Sequence, residues 1–200
     1  MAEAIIRTEN LTKTFVLGTE KVTALNDVSI SVEKGQICAV LGTSGSGKST
    51  LLNMLAGLER PTSGSVYIGR HRIDKMTERE LTLFRQKFTG FVFQSYNLIP
   101  SLTALENVAM PLMFKGVGKQ EREARALEML RLVGLENRKN HRPFEMSGGQ
   151  QQRVGIARAF VSNPRVIFAD EPTGNLDSET TKNVMQLVCG LVHENNSTMI

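Results

Sequence analysis

The sequence is poor in the residues that mark several classes of protein. Its 200 residues include no Trp, two Tyr and two Cys, and no apolar stretch approaches the roughly 20 residues of a membrane helix. The scarcity of Tyr and Trp removes stacking platforms for single-stranded nucleic acid, so no nucleic-acid partner is expected. Cys38 and Cys189 lack metal or redox spacing, which predicts two reduced thiols. The start of the chain has no secretory signal pattern, which predicts a cytosolic protein.

The overall composition is typical of one globular domain. The chain is 40% hydrophobic, enough for one sizeable core. Its 24 basic and 20 acidic residues are scattered and leave a formal charge of +4, which fits a solvated surface as well as any anionic partner. We therefore expect a single domain, into which a smaller lobe is inserted.

Two kinds of strand pattern occur in the sequence. Val28, Ile30 and Val32 alternate with polar residues, which predicts a small antiparallel sheet in the first third of the chain. Residues 37–41 and 166–169 are apolar at every position, as in parallel strands that are buried on both faces. Both runs lead directly into residues that can carry chemistry, Gly42 after the first and Asp170 after the second, and ligands of open α/β sheets gather at such strand ends.

Helix signals fill the region between these two runs and follow the second. The spacing of Thr77 to Glu80 and of Thr103 to Glu106 predicts capping boxes, and Asp177 is placed to cap a last helix. A strand begins near Thr198. A further helix is predicted from an apolar stripe that stops at Gly134, formed by Ala124, Leu127, Leu130 and Leu132 or Val133.

A glycine-rich segment follows the first apolar run and precedes a helix-forming run that begins at Thr50. Its pattern, G-x-x-x-x-G-K-S, predicts a loop whose backbone N–H groups surround phosphates. Lys48 would reach the β- and γ-phosphates, and the Ser49 hydroxyl would ligate Mg²⁺. A dinucleotide-binding fingerprint fails here, because its third glycine would fall on Thr50. The loop residues are Gly42, Thr43, Ser44, Gly45, Ser46, Gly47, Lys48 and Ser49.

Two acidic residues follow the second apolar run. Asp170 and Glu171 are adjacent at the end of a predicted buried strand, where neighbouring side chains point to opposite sides. We expect Asp170 to hold the metal and Glu171 to orient the attacking water as a general base. A solvated acidic turn before Pro172 is the simpler alternative, which the phosphate loop disfavours.

A third segment, Ser147-Gly148-Gly149-Gln150-Gln151, has capping-box spacing and predicts a helix start that presents N–H groups to an anion. Together with the phosphate loop, Gln94 and the residues from 166 to 177, this segment resembles the nucleotide-binding subunits of ABC transporters over the whole chain. The phrases around 61–64, 90–100 and 170–177 are similar to the lipoprotein-releasing and macrolide-exporting ATPases. The resemblance implies an α/β fold with a P-loop NTPase (RecA-like) core, an N-terminal antiparallel β subdomain and an inserted α-helical subdomain.

The resemblance also implies roles for individual residues. Phe15 stands where an aromatic ring stacks on adenine, usually a tyrosine, and Gln94 matches the glutamine that senses Mg²⁺ and the γ-phosphate. Catalysis would involve Glu171, Gln94 and Lys48, and the metal would be held by Ser49, Gln94 and Asp170. Nucleotide contacts are expected from the phosphate loop and also from Phe15, Thr50, Ser147, Gly148, Gly149, Gln150 and Asp177.

The expected partners are a second copy of the chain and a membrane permease. In the implied head-to-tail dimer, Ser147 and Gly149 of one copy close over the ATP held by the other. The segment 95–115 would contact the permease, which places the protein on the inner face of the cell membrane. We expect one ABC ATPase domain over 1–200, with the core and β subdomain at about 1–94 and 161–200 and the helical subdomain at about 95–160.

One departure from the family pattern concerns a histidine that should follow the strand after Thr198. The sequence stops before it, and His193 lies near the end of the preceding helix, so we expect a shortened domain with impaired turnover. The alternative function is a soluble ABC-type ATPase acting on DNA or the ribosome. It is disfavoured because Gln94 and Gly149 are separated by only 149 − 94 = 55 residues and because the chain has one cassette.

Overall fold

The computed structural model describes residues 4–200, which divide into two compact units. The first unit comprises the chain up to Arg85 together with Thr198–Ile200, and the second comprises Gln86–Ser197. No helix within residues 4–200 is both long enough and apolar enough to span a bilayer.

The first unit is built on an antiparallel sheet, as the alternating pattern predicts. Strand β1 pairs with β2, β3 and β4, and β4 also pairs with β5. Buried Ile6, Leu11, Val32 and Val66 form part of its core. The remaining elements are one helix before β4, another after β5, and a two-residue strand. In chain order the elements are β1 (Ala4–Leu17), β2 (Glu20–Val28), β3 (Ser31–Glu33), α1 (Lys48–Leu55), β4 (Ser63–Ile68), β5 (His71–Arg72), α2 (Glu78–Phe88) and β8 (Thr198–Met199).

Helix α2 runs from the first unit into the second. It begins with the predicted capping box: the Thr77 N–H donates to the Glu80 carboxylate (2.7 Å), and the Glu80 N–H donates to the Thr77 hydroxyl (3.3 Å). The predicted strand near Thr198 is confirmed as β8.

The predicted buried strand over residues 37–41 is wrong. Ile37 forms a single parallel bridge with Met199, and the Cys38 N–H donates to the Met199 carbonyl (2.8 Å). Strand β8 has only two residues, so this pairing does not extend along the run. Val40 and Leu41 are 36% and 90% exposed. An apolar run favours burial but does not by itself supply the neighbouring strand that pairing requires.

The second unit combines two parallel strands with four helices. The predicted run 166–169 is confirmed as a buried strand, with Val166 and Ile167 fully inaccessible. It pairs in parallel with the strand that precedes Gln94. Capping boxes at Thr103 and Ser147 and the Asp177 cap open three of the helices as predicted. The elements are β6 (Thr89–Phe93), α3 (Ala104–Phe114), α4 (Lys119–Leu132), α5 (Gly148–Phe160), β7 (Val166–Asp170) and α6 (Ser178–Glu194).

Helix α4 stops just before Gly134, as predicted, but its buried stripe differs from the predicted one. Gly134 has a φ of +73°, a left-handed conformation that suits glycine after a helix. The buried positions are Ala126, Leu130 and Val133, whereas Ala124 is exposed. Burial follows the face turned toward α3 and α5, and the choice between adjacent apolar positions is made by that packing.

Candidate functional site

The phosphate loop leads into helix α1 through two left-handed glycines. Gly45 has a φ of +78° and Gly47 a φ of +89°, and the Ser46 N–H donates to the Thr43 carbonyl (3.2 Å). Helix α1 starts at Lys48 directly after Gly47, which has no side chain to cap it. The first backbone N–H groups of α1 therefore point out of the helix into the loop, where an anion is stabilised.

Glycine is also required by close packing in this loop. A Cβ at Gly42 would lie 2.5 Å from the Ser46 hydroxyl, and a Cβ at Gly47 would lie 2.5 Å from the Ala24 carbonyl oxygen. Both distances are too short for non-bonded atoms. The Ser46 hydroxyl can rotate away from Gly42, but the Ala24 carbonyl is backbone, so the packing requires glycine at Gly47. The result is a concave backbone surface of a kind that binds phosphate.

The side chain of Lys48 lies within the concave face of the loop. Its ammonium donates to the carbonyls of Gly42 (3.0 Å) and Thr43 (2.9 Å). These bonds hold the positive charge beside the N-terminus of α1. Ser49 is exposed and Thr50 half-buried in the first turn of the helix. The donor set therefore fits a polyphosphate with a hard cation, for which hydroxyl oxygen is a suitable ligand.

Phe15 lies in the same unit, near the exposed end of β1, and its ring is half-buried. It pairs across the hairpin with Val22. The ammonium of Lys13 lies 4.9 Å from the centroid of the Phe15 ring. Lys13 was not among the predicted site residues, although its spacing of two residues from Phe15 places both side chains on one face of the strand.

In the second unit, Gln94 and the acidic pair meet at one sheet edge. Strands β6 and β7 are in parallel register, with Phe93 opposite Asp170. Gln94 and Glu171 follow these two residues and therefore lie at the same end of the sheet. Asn175 donates its amide N–H to the Gln94 carbonyl (3.0 Å).

The geometry of the acidic pair differs from its sequence prediction in one respect. Strand β7 ends at Asp170, and Glu171 has a φ of +44°, so Glu171 is not a strand neighbour of Asp170. The two carboxylates are separated by a left-handed turn of the backbone and not by strand alternation. Left-handed non-glycine residues carry backbone strain, which occurs most often at functional sites.

The glycine-rich helix start in the second unit has the predicted capping box. The Gln150 N–H donates to the Ser147 hydroxyl (3.3 Å), and the Ser147 N–H donates to the Gln150 side-chain oxygen (3.1 Å). A Cβ at Gly149 would lie 2.8 Å from the Thr180 methyl, and one at Gly148 would lie 2.8 Å from the Tyr96 hydroxyl. Both glycines thus permit close approach of neighbouring side chains to the start of α5.

Asp177 lies beside this helix start and caps α6. Its carboxylate accepts from the Thr180 hydroxyl (2.6 Å) and from the backbone N–H groups of Glu179 and Thr180. The hydrogen bonds from Thr180, with the side-chain bond the larger cause, lower the pKa of Asp177. Small-ligand sites typically have volumes of about 300–1,000 Å³, and the cavity beside this helix start measures about 520 Å³. It is lined by Gly134, Leu135, Ser147, Gly148, Gly149, Gln150, Arg153, Asn175, Leu176, Asp177 and Thr180.

Gln152 is a further residue that the sequence analysis missed. It is 1% exposed, and its side-chain N–H donates to the Pro172 carbonyl. This bond ties the middle of α5 to the turn after Glu171. The signal available in the sequence was a polar residue on the apolar face of a predicted helix.

The structure groups the predicted site residues within the two units. In the first unit it brings the phosphate loop and the start of α1 into one cradle, and it places Phe15 on β1 of the same unit. In the second it gathers Gln94, Asp170 and Glu171 at one sheet edge, and Ser147 through Gln150 with Asp177 around one cavity.

Comparison with known proteins identifies the family. A family model described as ABC transporter matches residues 25–174. The chain is 48% identical over 200 residues to an uncharacterized ABC transporter ATP-binding protein, MJ0796, of Methanocaldococcus jannaschii, covering 98% of this chain and 85% of the relative. It is 47% identical over 200 residues to the ABC transporter ATP-binding protein YtrE of Bacillus subtilis, covering 98% and 87%.

Solved structures agree with these sequence matches. The fold superimposes with a TM-score of 0.90 on a dimeric, post-hydrolysis structure of the MJ0796 cassette bound to ADP and Pi, at 46% identity, covering 97% of this chain and 85% of that one. A second dimeric MJ0796 structure gives a TM-score of 0.89 at 47% identity, covering 97% and 86%. The fold is therefore that of a P-loop NTPase, and the chain belongs to the ABC transporter family as an ATP-binding, ATP-hydrolysing subunit.

Proposed function

We propose that this protein binds Mg²⁺-ATP at residues 42–49 and couples its hydrolysis to transport by a membrane permease. The observation that carries the proposal is the Lys48 ammonium, which the Gly42 and Thr43 carbonyls hold inside the loop at the start of α1. A fixed cation, a helix N-terminus and a concave backbone together form a site for the triphosphate.

Different residues have different roles in nucleotide binding. Lys48 neutralises the β- and γ-phosphates, and the N–H groups from Gly45 through Thr50 surround them. Ser49, Asp170 and Gln94 would hold a Mg²⁺ ion, which would supply positive charge to the phosphate oxygens. Phe15 stacks on the adenine, for which its half-buried ring on β1 is suited.

Glu171 holds and deprotonates the water that attacks the γ-phosphate. Its left-handed backbone and its place at the edge shared with Gln94 support this role. Gln94 would sense the Mg²⁺ ion and the γ-phosphate, and the Asn175 amide holds the backbone of Gln94 at this edge of the sheet.

A second copy of the chain completes each site in this proposal. Ser147, Gly148, Gly149 and Gln150 form the start of α5, beside the 520 Å³ cavity that Asp177 also lines. The capping box uses the backbone N–H groups of Ser147 and Gln150, so the N–H groups of Gly148 and Gly149 are the ones directed outward. These donors suit a γ-phosphate presented by another copy. The MJ0796 cassette, which has the same fold, forms a dimer.

The membrane partner would bind the segment 95–115, which carries exposed apolar side chains at Ile99, Met113 and Phe114. Such a surface suits a protein contact, and it would place the protein on the inner face of the membrane. The helical subdomain is proposed to span residues of about 95–160. The motifs at 61–64, 90–100 and 170–177 support a role in export, or in the handling of lipoproteins, peptides or macrolides.

The test of nucleotide binding is the substitution Lys48→Met, with Lys34→Met as the matched control on the exposed turn after β3. Because a charge-assisted hydrogen bond contributes about 1.5–3 kcal/mol, Lys48→Met should weaken ATP binding by about 10- to 100-fold, measured by titration calorimetry with Mg²⁺. An unchanged affinity for Lys48→Met would overturn the site.

The test of the transport role is purification of the protein from detergent-solubilised membranes. We expect an integral membrane protein to co-purify, and a substitution of Phe114 by Glu should release it. Co-purification of DNA or ribosomes without a membrane protein would favour the soluble alternative. The helices between Gln94 and Gly149 have 11 and 14 residues, too short for the long coiled coil of the DNA-acting type.

A further inference from the structure

We infer that Lys13 is a positioning residue for the adenine base, because its ammonium covers one face of the Phe15 ring and leaves the other face to the nucleotide. This inference rests on the proposed role of Phe15 in stacking. It concerns only the first unit, in which both residues lie on β1.

The Lys13 side chain is anchored at three points. Its ammonium lies 3.0 Å from the Glu59 carboxylate, donates to the Arg60 carbonyl (2.8 Å), and lies 4.9 Å from the Phe15 ring centroid. The side chain is only 15% exposed. A lysine on the surface normally samples many rotamers, so this set of contacts fixes an otherwise mobile charge in one position. Cation–π attraction is stronger for such a partly desolvated ammonium.

The Phe15 ring has few other restraints. It stands beside Val16 and Leu17, which are 67% and 64% exposed, and its cross-strand neighbour Val22 is 41% exposed. Within residues 4–200, Phe15 takes part in no ring–ring contact. A phenylalanine also lacks the hydroxyl by which a tyrosine could be anchored. The contact with Lys13 therefore restrains the orientation of this ring.

The same anchors connect the ring to the phosphate loop. Glu59 and Arg60 follow α1, the helix that begins at Lys48, and the N–H of Glu59 donates to the Asn53 carbonyl within that helix (3.2 Å). Lys13 therefore joins the base-stacking strand to the segment after the phosphate-binding helix. This connection fixes the distance between the base and the phosphates, which lowers the ordering cost of binding a nucleotide that must reach both.

The experiment compares ATP with inorganic tripolyphosphate, which has the phosphates but no base. Both are titrated with Mg²⁺ into the wild type, Lys13→Met, Phe15→Ala and the double variant. The cation–π contact sets the scale of the effect, which for a partly desolvated ammonium is about a two- to 30-fold change in affinity. We expect Lys13→Met to weaken ATP binding by about this factor and to leave tripolyphosphate binding unchanged.

Three controls separate positioning from a structural effect. Lys21→Met removes an exposed lysine from the same hairpin and should change neither affinity. Lys13→Arg keeps a cation over the ring and should restore ATP affinity to within about twofold. Glu59→Gln removes the ion pair but keeps Lys13, so it should give a smaller loss of ATP affinity, and it replaces Lys13→Met if that variant fails to fold in a melting experiment.

The outcomes distinguish this inference from the proposed function. Equal losses for ATP and tripolyphosphate, or a loss from Lys13→Met that persists when Phe15 is already Ala, would overturn the role of Lys13. If Phe15→Ala weakens ATP binding but Lys13→Met does not, the inference fails and the stacking role stands. If Phe15→Ala has no effect, the stacking role fails with it, whereas the Lys48→Met titration still tests the phosphate loop.

Discussion

The carbonyl oxygen of Ala24 lies against Gly47, so close that a Cβ on Gly47 would be 2.5 Å from it. Ala24 occupies an irregular position in the pairing of β1 with β2, where Lys13 pairs with Leu25 and Thr14 with Thr23. The bulge in the hairpin thus packs directly against the glycine of the phosphate loop. The shape of the nucleotide loop depends on a strand that is distant from it in sequence.

Substitution of Gly47 by Ala should abolish detectable ATP binding. The substitution adds backbone strain at a φ of +89° and also a clash with a backbone oxygen that cannot rotate away. Gly18→Ala is the matched control, because Gly18 has a φ of +62° with no atom near its added Cβ. Titration with Mg²⁺-ATP should show a loss for Gly47→Ala and an affinity close to wild type for Gly18→Ala. Equal affinities for the two variants would contradict the packing argument.

Glu171→Gln should slow ATP hydrolysis about 100-fold or more without weakening ATP binding, because it removes a general base and keeps the size of the side chain. The ATP-bound dimer should then persist longer on size-exclusion chromatography. Glu179→Gln, an exposed acid in the first turn of α6, is the control and should hydrolyse ATP at the wild-type rate. A Glu171→Gln protein with unchanged turnover would show that another group activates the water.

Gly149→Ala should have two separable effects. The added Cβ would lie 2.8 Å from the Thr180 methyl and should lower thermal stability, while it also blocks the proposed contact with the phosphate of the second copy. Adding Thr180→Ser removes the methyl but keeps the hydroxyl bonded to Asp177. The double variant should therefore melt at a higher temperature than Gly149→Ala, yet still fail to form the ATP-dependent dimer. Recovery of the dimer along with stability would mean that Gly149 serves only packing.

The Thr103 capping box should contribute measurably to the stability of the second unit. Loss of such a cap costs about 0.5–2 kcal/mol, so Thr103→Ala should lower the urea midpoint, whereas the exposed Ser101→Ala should not. A midpoint equal to that of Ser101→Ala would show that the cap makes no net contribution.

The same capping box should make stability depend on pH. Hydrogen bonds from the Thr103 backbone N–H, and secondly from its hydroxyl, lower the pKa of Glu106 below its usual value of 4.5. A carboxylate with a lowered folded-state pKa stabilises fully above its unfolded value and loses this effect as the pH falls through the folded value. The difference in urea midpoint between wild type and Glu106→Gln should therefore be constant above about pH 5 and shrink at lower pH. A difference that does not change with pH would exclude the carboxylate as its source.

Local signals in the sequence predicted local structure well. The capping boxes at Thr77, Thr103 and Ser147 form because their donors and acceptors lie three residues apart, within one helical turn. Gly134 ends its helix for an equally local reason. The run 37–41 was mispredicted because strand formation needs a partner from elsewhere in the chain.

The chemical identity of the site was likewise contained in the sequence. The spacing from Gly42 to Ser49 specifies a loop with glycine at both left-handed positions, Gly45 and Gly47, and the acids Asp170 and Glu171 stand at the end of a strand that is indeed buried. The left-handed turn at Glu171 is different, because a glutamate has no local preference for that conformation and is held in it by its surroundings.

The sequence by itself therefore determined which residues could bind phosphate, cap helices and carry charge, because these properties depend on residues close together along the chain. Only the tertiary structure decided that Lys13 is anchored beside the ring of Phe15 and that Ala24 packs on Gly47. The anchor of Lys13 lies at Glu59 and Arg60, more than 40 residues away, and the partner of Gly47 lies on another strand. Contacts of this kind arise when strands pair and close loops between distant segments, and no local pattern encodes them.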